Sequence, residues 1–155
     1  MSLQGELRKR DPFDSLSQEA MLAVMRTSDL LENRMARLLR EHGLTLTQYN
    51  VLRILRGEDR PMPCLEVADR MIQVAPAMTR VVTQLIKLGL VDKVQSESDR
   101  RVYLVKLTPT AKRLLKKLDR PVLQLHETLF AGAGSAEQKA LIQILESVRG
   151  AINES

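Results

Sequence analysis

Apolar residues recur every three or four positions through Leu16, Ala20, Val24, Leu31, Met35 and Leu38, the spacing of an amphipathic helix. The pattern predicts a helix over residues 15–42, stopped by Gly43. About 26 residues at 1.5 Å each make ~40 Å, a long apolar stripe for a small chain to cover. LTLTQYNVLRILRG comes next, with Thr47 expected as N-cap, Tyr49, Leu52 and Leu55 on one face, and Gly57 as the stop. GEDRPMP is expected to be a loop. CLEVADRM predicts a short helix entered at Pro63, with Leu65, Ala68 and Met71 facing inward. APAMTRVVTQLIKLG predicts another, with Pro76 in its first turn and Gly89 at its C-terminal cap.

The period then changes from 3.6 to 2. Residues 91–95 and 102–107 alternate as paired antiparallel strands do, joined by SESDRR at 96–101. That connection carries no glycine, unlike the common two-residue hairpin turns. Thr108-Pro109 supplies an N-cap and first-turn proline for a helix over 109–130, in which Pro121 predicts a kink. After AGAG, Ser135 and Gln138 suggest a capping box opening a last helix over 136–152. Residues 1–14 are polar and predict an arm or an extended strap. The fold class is therefore mostly α with a small β-hairpin, organised as one domain over 15–155 around a central lobe at 44–107. The apolar stripes on 15–42, 109–130 and 136–152 exceed what that lobe can cover, which points to a dimerisation region.

Composition narrows the function. The only aromatics are Phe13, Phe130, Tyr49 and Tyr103, so Leu, Val, Ile and Met must carry the packing. A net charge of +5 favours an anionic partner. Cys64 is the single cysteine, which excludes an internal disulfide and fits a reducing cytoplasm. No apolar run approaches the ~20 residues of a membrane span, and GELRKRD lacks the apolar stretch of a secretory signal. His42 and His126 have no ligand-spaced acids or cysteines beside them. With no phosphate-binding glycine loop and no nucleophile–base set either, no enzyme activity, cofactor or metal is expected.

Two short helices joined by a three- or four-residue turn and followed by a hairpin describe a winged helix-turn-helix, whose second helix enters the DNA major groove. Here that helix would present Pro76, Ala77, Thr79, Arg80, Thr83 and Gln84, with Lys87 beyond them. Arginine grips guanine in two places, glutamine pairs with adenine, and threonine reaches a phosphate or a thymine methyl. The hairpin, or wing, would add Lys93, Ser98, Asp99, Arg100 and Arg101, its arginines suited to a narrow minor groove. Asp99 would repel phosphate if it pointed outward, so it is expected to hold an arginine or close the loop.

The segments LTLTQYNVLRIL, VADRM, APAMTRVVTQLIKLGLVDK and DRRVYLVKLTPTAKRLL, in that order, resemble the MarR (multiple antibiotic resistance regulator) family across residues 15–150. The resemblance implies a homodimer reading a pseudo-palindromic operator in double-stranded DNA, commonly a repressor released by a small-molecule effector. Thr79 and Arg80 match the family's recognition-helix contacts, and Asp99 and Arg101 its wing pair. Ile72, Gln73 and Val74 depart from it, since a Ser or Thr often stands at the last of these. Three alternatives accompany this picture: a winged-helix protein-interaction module without DNA binding, a redox-responsive regulator using Cys64, and a ligand pocket lined by Met21, Met25 and Met35.

Overall fold

A computed structural model describes residues 2–73 and 77–153. The chain divides into two compact units, the first ending at Lys116 and the second beginning at Lys117. No helix among the described residues is long and apolar enough to cross a membrane.

The first unit opens with one helical turn, α1 (Leu3–Glu6), where Ser2 caps the chain by accepting from Gly5 N–H. The expected arm is thus partly helical. Next, α2 (Leu16–Arg40) starts at Ser15, whose hydroxyl accepts from Gln18 N–H at 3.1 Å. Gly43, at φ +75, lets the chain leave α2 while Leu44 N–H still reaches Leu39 C=O at 3.0 Å.

In α3 (Leu46–Glu58), Thr45 is the N-cap, not Thr47. Only Thr45 has a glutamine three residues on, and with Gln48 it forms a reciprocal capping box. The helix also runs through Gly57. Asp59 takes the left-handed turn at φ 48, a conformation aspartate tolerates.

The expected loop GEDRPMP contains a strand, β1 (Met62–Pro63), which pairs with Val105 and Leu104. Two residues show no period, and proline is confined to sheet edges, so the sequence carries no strand signal there. After it comes α4 (Cys64–Asp69). Val67 is its fully buried anchor, whereas Leu65, expected inward, is 75% exposed. Ala68 and Met71 are half-buried. A ring of ion pairs, Glu58–Arg60–Glu66–Arg70, ties α4 to the end of α3.

Helix α5 (Met78–Lys87) begins after Ala77, whose φ −131 and ψ 46 are not helical. Eight residues therefore separate α4 from α5, not three or four. Pro76 and Val74 lie outside the described residues. Gly89, at φ +68, terminates α5 as expected, and Leu90 N–H returns to Leu85 C=O. Strands β2 (Val91–Gln95) and β3 (Tyr103–Leu107) complete a sheet of order β1-β3-β2. The core of the unit gathers Leu39, Leu52, Leu55, Val67, Leu85 and Val105, all nearly inaccessible. Burying such side chains is worth about 1.5–3 kcal/mol each against leaving them exposed.

Helix α6 (Pro109–Leu129) crosses from the first unit into the second and remains helical through Pro121. The second unit ends in α7 (Ser135–Asn153). Its cap is shifted by one residue from expectation. Glu137, rather than Gln138, closes back, accepting from Gly134 N–H, and the Gln138 amide instead donates to Ala133 C=O at 2.8 Å.

Candidate nucleic-acid interface

The apolar side of α5 fixes what its other side can do. Met78, Val82 and Leu85 fall four and three residues apart and are buried. The same spacing puts Thr79, Arg80, Thr83, Gln84 and Lys87 on the solvent side, where with Ala77 they line an open concavity. Thr83 donates its hydroxyl proton to Thr79 C=O at 2.8 Å, so its free lone pairs can only accept. The Arg80 guanidinium is exposed and has no partner among the described residues. Gln84 has one: Gln48 Nε2 donates to its Oε1 at 3.4 Å.

The wing explains how its tip turns without glycine. Val102 N–H donates to Asp99 C=O at 2.9 Å, making a four-residue turn with Arg100 and Arg101 in the centre. Neither central residue has positive φ, so neither needs to be glycine. Beyond the last strand pair, Ser96 N–H bonds Val102 C=O at 2.9 Å, and Ser98 meets Ser96 through its hydroxyl at 2.9 Å.

The Asp99 carboxylate accepts from Arg101 N–H at 3.0 Å and from the Arg101 guanidinium at 3.2 and 3.3 Å. The guanidinium, and then the backbone N–H, hold that carboxyl below its ordinary value. Arg101 is therefore oriented, although its side chain remains 90% exposed. Arg100 gives its C=O to Gln95 Nε2 at 2.6 Å, while its guanidinium has no partner among the described residues. Lys93 lies over the Tyr103 ring at 4.2 Å, a cation–π contact that aims its ammonium from the strand.

Every described candidate on the helix and wing is thus exposed or half-exposed, and both groups belong to the first unit. Two participants were missed: Gln48, disguised by the choice of Thr47 as cap, and Tyr103, read only as a strand residue. The T-x-x-Q spacing from Thr45 was the available signal for Gln48.

Cys64 sits elsewhere on the balance. Burial pushes its thiol up, and the positive charge of Lys93 offsets only part of that. That direction gives no support to a reactive thiolate at Cys64.

Comparison with known proteins agrees with this architecture. The MarR family model matches residues 44–103, the segment from Leu44 through α5 and into β3. A MarR transcription factor from Planctomyces limnophilus is 38% identical, with 87% of this chain and 98% of that one covered at a TM-score of 0.67. The chain belongs to the MarR family. It is accordingly a DNA-binding transcriptional regulator with a winged helix-turn-helix. The HTH-type transcriptional repressor IacR of Pseudomonas putida is 28% identical over 144 residues, covering 92% of this chain and 81% of that protein. In Bordetella bronchiseptica BpsR, DNA binding is regulated by 6-hydroxynicotinic acid. That structure shares the fold at a TM-score of 0.78 and 22% identity, covering 90% of this chain and 98% of BpsR.

Proposed function

We propose that this MarR protein is a homodimeric repressor that reads a pseudo-palindromic operator and is released by a small ligand. The Arg80 guanidinium, without a partner among the described residues and raised on the polar side of α5 above a buried apolar side, carries the proposal. In the major groove it would grip guanine, with Thr79, Thr83 and Gln84 beside it. Arg100 and Arg101, with Lys93 behind them, would lie along the flanking minor groove.

Dimerisation is supported by apolar side chains left in solvent within each unit. In the first, α2 exposes Met21 at 58% and Met25 at 60%, along with Val24 and Leu30. In the second, α7 buries no residue and exposes Ile142, Ile144, Val148 and Ile152. Soluble chains rarely leave such stripes bare. A second copy would cover them, which gives the methionines an interface role beside the pocket role considered from sequence. Regulation of BpsR by 6-hydroxynicotinic acid makes small aromatic acids the first effectors to test.

The decisive experiment measures binding of wild type and Arg80→Ala to an operator duplex and to single-base variants of it. Loss of one two-point guanine contact predicts a cost of about 1–3 kcal/mol and a flattened preference at one position per half-site. An Arg80→Ala protein that binds as tightly and as selectively as wild type contradicts the assignment of α5.

A further inference from the structure

We infer that Gln48, buried on α3, is a positioning residue for base readout: it turns the Gln84 carboxamide so that α5 offers the groove an amide N–H donor and not a carbonyl. The inference rests on the DNA-binding role proposed for α5.

The orientation follows from counting donors and acceptors. Thr45 N–H donates to Gln48 Oε1 at 3.0 Å, closing the capping box. On a carboxamide only the oxygen accepts, so this bond determines which way the Gln48 amide faces. Its nitrogen is left toward α5, where it donates to Gln84 at 3.4 Å. Gln84 can meet a donor only with its oxygen, which leaves its own NH2 outward. Gln48 is 7% exposed and doubly bonded, whereas Gln84 is exposed, so the buried amide dictates and the exposed one follows.

The neighbours share the same polarity. Arg80 is one turn before Gln84 and Lys87 one turn after, and both are donors only. The outward row at this level is therefore guanidinium, amide NH2 and ammonium. In the major groove the keto oxygens of guanine and thymine accept, while the amino groups of adenine and cytosine donate. The row fits keto bases, and guanine best, since its N7 and O6 both accept.

Gln48→Glu tests this. Glutamate keeps the capping box, one oxygen accepting from Thr45 N–H, but its second oxygen also accepts and obliges the Gln84 amide to turn over. Bound duplexes are selected from a random pool with the full chain, wild type and variant. Wild type should enrich a keto base at one position of each half-site. Gln48→Glu should move that position toward an amino base by up to about tenfold, the scale of one net hydrogen bond, and leave other positions unchanged. In a Gln84→Ala background the same substitution should change nothing. Gln48→Met, which preserves volume without a charge, frees the amide to turn either way and should level the preference there. If wild type and both variants enrich the same base equally, Gln48 is only a helix cap and the inference falls while the DNA-binding role stands. If wild type enriches no motif, the role of α5 falls, and the inference with it.

Discussion

Asp99 accepts two hydrogen bonds from the Arg101 side chain and one from its backbone, leaving Arg100 as the wing arginine whose guanidinium has no partner among the described residues. The sequence supports an acid closing the tip, because an aspartate two residues before an arginine has local partners to choose from. Which arginine it takes depends on the turn, which brings both the backbone N–H and the guanidinium of Arg101 to the Asp99 carboxylate. Because pairing lowers the Asp99 pKa from its ordinary 3.8, the interaction is complete above that value and is lost only as pH falls through the lower folded value. The tip therefore stays closed across the neutral range. Arg101→Ala should return the Asp99 carboxyl toward its ordinary value, as followed by NMR titration. Arg100→Ala should weaken DNA binding more than Arg101→Ala does and lower the salt slope by about 1. An unmoved Asp99 titration, or the reverse order of affinities, contradicts this division of labour.

At the scale of elements, the helices with a sustained 3.6 period were legible because α2, α3, α5, α6 and α7 each repeat an apolar position several times. Their ends were less so. Thr45 and Thr47 both stand at the start of α3, and the reciprocal bonds with Gln48 make the first of them the cap. β1 is two residues long and exists only because β3 offers an edge. Leu65 points outward because a six-residue helix has room for one anchor, and Val67 takes it. The readable junction was Thr108-Pro109, and its chemistry goes further than capping. Thr108 Oγ1 accepts from Ala111 N–H at 3.2 Å and donates to Gly89 C=O at 2.8 Å. One buried hydroxyl thus starts α6 and anchors the turn that leaves α5. Thr108→Val keeps the shape and removes both bonds, so it should cost about 1–3 kcal/mol of stability in chemical denaturation. A loss within a few tenths of a kcal/mol of zero would show that the junction is held otherwise.

Over the whole molecule, charge and uncovered apolar surface suggest different partners. The +5 balance and the donor-rich α5 and wing suit a polyanion, and binding should weaken steeply as salt rises. The bare stripes on α2 and α7 suit a second copy. Patterning along the chain already indicated both, because amphipathic stripes and basic rows are written in residue type alone. The direction in which an amide faces is not, since it depends on a bond between residues 36 apart. In the proposed dimer the spacing of two lobes would set the operator, since a two-fold dimer imposes its symmetry on the DNA. Selection of duplexes bound by the wild-type protein from a random pool measures spacing and base choice together. A homodimer that reads guanine through Arg80 should enrich a two-fold-symmetric motif with half-site centres about 10–10.5 base pairs apart, or a small multiple of that, and a guanine within each half-site. A single unpaired half-site, or no enrichment at all, would contradict it.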